Sequence, residues 1–383
     1  MGARAKLVIP LVAIVVVLAA TSAGLFYFGL HSFENAKISI APAKAGSGVP
    51  TRWDERFREA DERMQAFEAR LKQEVAASSD RGVSNFLENI YLGEPEAVEQ
   101  IQILDAAFVD CQDSFRWFQE TFVLDAATQA DLALREPLLH ERYNFRRFRR
   151  QANFLVAAAL RLHIRGKPLE AAALLRSVVL QGQVLARGMG AQNLLIEAMV
   201  GLGVTRMALR ETAHILVVAP LTEADRQDIL SALSPFKGLL CRLEDALEGE
   251  LSLCRRVDER VRAKVGFFAY HSLTPFFGTP SGDYEPYYGK ALNILKKEPW
   301  EAIPALDVHL EEATSGGWIH PLAAIVLVNM RYSYARYLQT EVLLKILPLL
   351  SHIGEGFRER SLFQIPERFV LPQDPYTGKT LIY

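Results

Sequence analysis

Apolar side chains recur along most of this chain at the three- and four-residue spacing of amphipathic α-helices. The clearest unit covers residues 151–186, where two apolar stripes flank a turn at residues 165–168. Gly166 suits the positive φ that often follows a helix, and Pro168 suits the first turn of the next one. The pattern predicts an αα-hairpin of the kind that stacks in helical-repeat proteins.

A helix is also predicted to begin at Thr51. Its apolar residues are alternately four and three positions apart: Trp53, Phe57, Ala60, Met64, Phe67 and Leu71. This spacing favours packing on the protein's own core, and it also fits self-association through residues 53–71.

Later helices have recognisable ends. Thr222 and Asp225 predict a capped helix start, and Pro235 its end. Helices are predicted again from about Asn293, and a long one extends from Pro321 to about Leu350.

The N-terminal segment 7–30 contains no charged side chain. Roughly 20 apolar residues suffice to cross a bilayer as a helix. Arg4 and Lys6 precede it, so we expect residues 1–6 to stay cytoplasmic and the remainder to be exported. Small residues at 19–23 leave open a cleaved signal peptide, and a buried helix is a third alternative.

The expected organisation is a cytoplasmic tail, a transmembrane anchor, a linker (31–50), a helical domain (51–360) and a C-terminal tail (361–383). Asp374, Pro375 and Gly378 are typical of a tight turn in that tail, which favours a small β-hairpin. The predicted fold class is therefore mainly α: a single N-terminal transmembrane helix, a solenoid-like helical array and a C-terminal β-hairpin.

The last ten residues, Asp-Pro-Tyr-Thr-Gly-Lys-Thr-Leu-Ile-Tyr at 374–383, follow the pattern Asp-Pro-Phe/Tyr-Thr/Ser-Gly-Lys-x-Leu-x-Tyr. With the helical segment 159–209, they make the chain resemble an uncharacterised family of exported, membrane-anchored bacterial proteins. Such proteins usually carry Gly-x-Tyr-Pro before the tail, where this chain has Gly354-Glu355-Gly356-Phe357. The resemblance implies the architecture and no activity.

Composition narrows the classes of function. The net charge is −2 with half of the residues hydrophobic, which argues against a disordered chain and against an electrostatic nucleic-acid binder. Cys111, Cys241 and Cys254 are too few for a disulfide framework, and burial as small apolar side chains is the favoured interpretation.

No metal, nucleophile or phosphate-binding motif is present in the sequence, so we predict no cofactor and no catalytic residue. The nearest cluster is His309-Leu310-Glu311-Glu312, which we interpret as a solvated helix face rather than a cation site. The question of an enzyme stays open, with the motifs leaning against one.

Two segments are candidate interaction surfaces. The stretch 266–290 is rich in aromatic residues, Pro and Gly, which indicates an ordered loop for a partner, a sugar, or packing on the array. Its candidate residues are Phe267, Phe268, Tyr270, His271, Phe276, Phe277, Tyr284, Tyr287 and Tyr288. A basic patch is formed by Arg142, Arg146, Arg147, Arg149 and Arg150. The alternative for the patch is an amphipathic helix whose arginines pair with nearby acids.

The expected function is a membrane-anchored periplasmic scaffold for protein–protein interaction within an envelope or secretion-type assembly. The expected partners are the inner membrane, through the N-terminal helix, and an envelope protein, with no nucleic acid. Two alternatives stay open: an envelope hydrolase acting on glycan or peptide, and a carrier of an apolar ligand.

Overall fold

The computed structural model describes residues 52–78, 111–123, 145–187, 195–238, 242–265, 280–315 and 321–359, with residues 105, 108, 240, 374 and 377–379. Within these ranges the chain is mainly helical, as predicted, and contains no β-strand. The predicted anchor at 7–30 lies outside the described residues, as do the linker and most of the C-terminal tail.

Ten α-helices are described, and we number them in chain order. They are α1 (Arg52–Ser78), α2 (Gln112–Thr121), α3 (Phe145–Ile164), α4 (Pro168–Ala186), α5 (Leu195–Val218), α6 (Glu223–Leu233), α7 (Leu243–Val265), α8 (Pro280–Leu295), α9 (Pro299–Ser315) and α10 (Pro321–Glu359). A 3₁₀ helix, Ser234–Gly238, follows α6 directly.

Helices α4 and α5 form the centre of the fold. Helix α4 contacts α2, α3, α5 and α6, whereas α5 contacts α3, α4, α7 and α10. Among the described helices only α4 is long and apolar enough to cross a bilayer, and 78% of its apolar window is buried inside the protein. Its hydrophobicity is therefore explained by its central position, because a core helix is apolar on all sides.

Helices α4 and α5 approach each other closely at two glycines. A Cβ atom on Gly182 would lie 2.5 Å from the Thr205 Oγ1 and 2.7 Å from the carbonyl O of Gly201, and a Cβ on Gly201 would overlap the carbonyl O of Gly182. The same interface holds a buried hydrogen bond of 2.8 Å from Gln183 Nε2 to Thr205 Oγ1. Only glycine permits this spacing.

The apolar side chains form two main clusters joined by α10. The first involves α1 to α6 and includes Leu344 and Leu347 of α10. The second involves α7 to α9 and includes Tyr334 and Leu338 of α10. Tyr337 packs against both clusters.

Four of the six residues in the predicted seam of α1 have described side chains, and all four lie in the first cluster. Phe57, Ala60, Met64 and Phe67 are at most 3% exposed. Phe67 packs edge-on against Phe154, with ring centroids 5.2 Å apart. The structure thus favours packing on the protein's own core, and self-association through residues 53–71 stays a prediction.

Several local predictions are confirmed. Gly166 has a φ of 75° in the turn between α3 and α4. Thr222 and Asp225 form a reciprocal capping box at the start of α6, with Asp225 N–H donating to Thr222 Oγ1 at 3.2 Å. Hydrogen bonds from the Thr222 hydroxyl and backbone N–H lower the pKa of Asp225.

Two predicted helix boundaries were wrong. Helix α8 begins at Pro280 rather than near residue 293, because Tyr284, Tyr287, Tyr288 and Ala291 have helical spacing that the surrounding Pro and Gly obscured. Helix α10 continues to Glu359 instead of ending near residue 350. Its C-terminal part packs closely against α5 at Gly354, where a Cβ atom would lie 2.5 Å from the carbonyl O of Leu216.

The described part of the C-terminal tail forms the predicted turn. Gly378 has a φ of +68° and its N–H donates to the Asp374 carbonyl at 2.8 Å. The Thr377 hydroxyl donates to Asp374 Oδ2 at 2.8 Å, and Asp374 N–H donates to the Lys379 carbonyl at 2.7 Å. The turn packs on Trp300 of α9, whose ring would lie 2.8 Å from a Cβ on Gly378. The hairpin itself stays a prediction, since its flanks lie outside the described residues.

Candidate functional site

The candidate aromatic surface is only partly described. Phe267, Phe268, Tyr270, His271, Phe276 and Phe277 lie outside the described residues, and Tyr284 is placed by its backbone alone in α8. Tyr288 is 2% exposed and belongs to the second cluster, so it is a core residue and cannot present its ring to a partner. Tyr287 is half-buried and stacks on His309, with ring centroids 5.7 Å apart.

His309 joins α8 to α9. It is 2% exposed, and its Nε2 lies 2.9 Å from the Tyr287 carbonyl O. Its Nδ1 lies 3.5 Å from Glu312 Oε2, and Glu312 also binds Lys290 of α8. The hydrogen bond from Lys290, with a weaker one from His309, lowers the pKa of the Glu312 carboxyl. The predicted solvated face is confirmed for Glu312, whose side chain is exposed. It was wrong for His309, whose ring is buried beneath Tyr287.

The basic patch is described at two arginine side chains, and one of these is bound to an acid of the protein itself. Arg142 lies outside the described residues, and Arg146 and Arg147 are placed by backbone alone at the start of α3. Arg149 and Arg150 are exposed, and Arg150 Nη1 donates to Glu68 Oε1 of α1 at 2.6 Å. This pair favours the amphipathic-helix interpretation, and at half exposure it adds only about 0–1 kcal/mol.

A cleft of about 340 Å³ lies beside that ion pair, between α1 and α3. Asp61 accepts hydrogen bonds there from Gln151 Nε2 at 3.1 Å and from Gln65 Nε2 at 2.8 Å. Gln151 is 6% exposed and its Oε1 has no hydrogen-bond partner in the described structure. Two carboxylates, two amides and one arginine therefore line this cleft.

A larger cleft of about 400 Å³ separates α6 and its 3₁₀ extension from α10. Its lining includes four leucines, three serines, Lys237 and His352. We name it the α6–α10 cleft. Sequence reasoning missed it, because its two walls are more than 100 residues apart in the chain and no motif marks either wall.

Three exposed apolar side chains lie at one end of the layer formed by α3, α4 and α5. Ile164, Leu169 and Val218 are 51%, 45% and 55% exposed. The turn at Gly166 joins the C-terminus of α3 to the N-terminus of α4, and the ring contact of His163 with His214 brings the C-terminal part of α5 to the same end. We name these three residues the apolar end.

Two histidines lie close to the apolar end. The rings of His163 and His214 make an edge contact, with centroids 5.7 Å apart. Burial lowers the pKa of His163, and the positive charge of protonated His214 lowers it further. Burial raises the pKa of Glu211, against the opposing effect of His214 and Arg210.

A hydrolase would need two carboxylates facing a substrate. Glu197 and Glu250 are the pair of interest: burial raises the pKa of Glu250, and the charge of Glu197 raises it further. Glu250 Oε2 accepts a hydrogen bond from the Leu195 N–H at 3.3 Å. Glu197, however, is 0% exposed, so a substrate could not reach it. Nor does any group of three or more metal-ligand side chains converge in the described ranges.

The fold and these surfaces define a class only: a mainly helical protein built around a central helical layer. Comparisons of the chain with protein-family models, with curated proteins and with solved structures found no match.

Proposed function

We propose that this protein is a membrane-anchored, exported helical scaffold that binds a partner protein in the cell envelope. The observation that carries the proposal is the apolar end, where Ile164, Leu169 and Val218 are exposed together. Single exposed apolar residues are ordinary on a protein surface. Three at the same end of adjacent helices favour a contact surface, because each gains roughly 25 cal/mol for every Å² that a partner removes from water.

The anchoring part of the proposal is supported by the uncharged segment 7–30 and by Arg4 and Lys6 before it. The aromatic residues at 267–277 lie outside the described residues and stay a second candidate for partner contact on the sequence alone. The proposed architecture includes the hairpin at residues 361–383. It agrees with the resemblance of the chain to exported, membrane-anchored proteins.

Anchoring is tested with the full-length chain produced in a bacterium that has two membranes. We expect the chain to stay in the membrane fraction after alkaline carbonate washing, and to be degraded by protease once the outer membrane is opened. Recovery of the uncleaved full-length chain in the soluble cytosol would overturn the proposal.

Binding through the apolar end is tested with a photocrosslinking amino acid at Leu169, in the membrane-anchored chain at native expression level. We expect one adduct of defined mass that disappears when Val218→Glu is added. The matched control places the crosslinker at Val308, which is equally apolar and 55% exposed but lies on α9. Equal crosslinking from both positions, or none at Leu169, contradicts the proposed surface.

A further inference from the structure

The cleft between α1 and α3 contains a buried hydrogen-bond acceptor that the rest of the fold leaves unpaired. We name it the α1–α3 cleft, and its polar lining consists of Asp61, Gln65, Glu68, Arg150 and Gln151. Gln151 is 6% exposed, and its Oε1 has no hydrogen-bond partner in the described structure. An amide oxygen that is shielded from water and unpaired costs stability. Its retention in a cleft wall therefore indicates a ligand that supplies the missing donor.

A hydrogen bond fixes the orientation of this amide. Gln151 Nε2 donates to Asp61 Oδ1 at 3.1 Å, and this bond joins the α3 wall of the cleft to the α1 wall. An ionised carboxylate only accepts hydrogen bonds, so the amide cannot turn round and present its oxygen to Asp61. Oε1 therefore stays between the two walls as an acceptor that needs a donor.

The groups near Gln151 define the kind of donor. Asp61 and Glu68 place carboxylate oxygens on the α1 wall, and a carboxylate accepts further hydrogen bonds besides those of the partners it already has. Against these two acids, the described lining contains one cationic side chain, Arg150. Two carboxylates beside an unpaired amide oxygen suit a cation that carries N–H donors, and a primary ammonium group brings three of them.

The cleft has the room and the access that such a group needs. Its volume of about 340 Å³ lies in the range of small-molecule sites. Gln65 is exposed where it binds Asp61, and the Arg150 side chain is 51% exposed where it binds Glu68. Exposed side chains change rotamer within nanoseconds, so these two open a path to Oε1 without unfolding either helix.

We propose that the α1–α3 cleft binds a primary ammonium group, with Gln151 Oε1, Asp61 and Glu68 as its acceptors. This inference is independent of the partner-binding function proposed above, because Gln151 lies about 20 Å along α3 from Ile164 of the apolar end. The ammonium group belongs either to a small amine or to a lysine side chain, and the experiment distinguishes these two sources.

The test uses the full-length chain in nanodiscs of zwitterionic lipid at constant ionic strength. Thermal unfolding is followed by tryptophan fluorescence while each probe is titrated, because a ligand of the folded state raises the unfolding temperature according to its affinity. The probes are propylammonium, lysine blocked at both ends, and tetramethylammonium, which has the same charge and no N–H donor.

We expect propylammonium or blocked lysine to bind at least about tenfold more tightly than tetramethylammonium, the ratio that one charged hydrogen bond supplies. The tighter of the two primary amines identifies the source. Equal binding of tetramethylammonium would show charge attraction alone and would overturn the proposal. Absence of stabilisation by both primary amines would overturn it too, and would leave water as the occupant of the cleft.

Two glutamine variants assign the site. Gln151→Met keeps the length of the side chain but removes Oε1, and is expected to weaken binding of the preferred amine about tenfold. Gln65→Met is the matched control, because Gln65 also donates to Asp61, at 2.8 Å, but from an exposed position. We expect the control to leave binding nearly unchanged.

Equal weakening by both variants, or no effect of Gln151→Met, would overturn the assignment. Unfolding curves without any probe verify that each variant folds. The comparison of the three probes on the unaltered chain tests the proposal even where a variant does not fold.

Discussion

Individual glycines determine how closely the two central helices pack. Replacing Gly182 or Gly201 by alanine inserts a methyl group where the facing backbone is already within contact distance. Overpacking of this kind costs about 1–3 kcal/mol, so we expect either variant to lower the free energy of unfolding by that amount. Chemical denaturation followed by far-ultraviolet circular dichroism measures it.

The control for these variants is Gly203, which lies two residues further along α5. A Cβ atom there meets no atom within 4 Å. Gly203→Ala is therefore expected to raise stability by up to about 1 kcal/mol, because alanine loses less backbone freedom in a helix. If all three alanine variants behaved alike, the close approach of α4 and α5 would be contradicted.

His163 makes stability dependent on pH. Burial, and the proximity of His214, lower its pKa in the folded state below the value of about 6.5 in the unfolded chain. The unfolded state then binds the proton more readily than the folded state. The free energy of unfolding is therefore highest above about pH 6.5 and decreases as the pH falls below that value. We expect His163→Gln to flatten the decrease in unfolding free energy between about pH 6.5 and pH 5. An unchanged pH profile in the variant would show that His163 is not the group responsible.

At the scale of an element, the C-terminal turn is attached to α9 through Gly378. Alanine there would be strained twice: by the positive φ of +68° and by the ring of Trp300 at 2.8 Å. We expect Gly378→Ala to release the turn and to speed amide hydrogen exchange at residues 374–379 at least tenfold, with little change in the central helices. Exchange is measured by mass spectrometry on peptic fragments. Unchanged protection of these amides in the variant would mean that the turn is held by other contacts.

Local signals explain which elements could be predicted from the sequence. Gly166, Thr222 and Asp225 act within their own turns, and their roles were predicted because no distant contact is needed to define them. The start of α8 was missed because Pro286 and Gly289 suggested a loop, whereas packing of Tyr288 and Ala291 in the second cluster stabilises a helix. Tertiary contacts override local composition in such segments.

The candidate sites depend more strongly on long-range contacts. Nothing in the local sequence indicates that His309 packs beneath Tyr287, or that Arg150 reaches Glu68 on α1. The α6–α10 cleft likewise combines Lys237 and Ser351, which are far apart in the chain. Charge and aromatic content predicted possible surfaces, and only the arrangement of the helices decides which side chains stay available to a ligand.

For the whole molecule, the decisive element is α10, which carries side chains of both apolar clusters. Leu344 is 1% exposed in the first cluster and Leu338 is 3% exposed in the second, about 1.7 turns apart on the same helix. Because α5 and α10 contact helices of both halves, we expect the two clusters to unfold as one cooperative unit.

Leu344→Ala and Leu338→Ala form a matched pair that creates one cavity in each cluster, at a cost of about 2–5 kcal/mol. Each variant should shift a single denaturation transition without changing its slope, and should raise hydrogen exchange in α4 and in α9 alike. If Leu338→Ala raised exchange in α7 to α9 alone while α4 kept its protection, the clusters would be separate folding units and α10 only a connection between them.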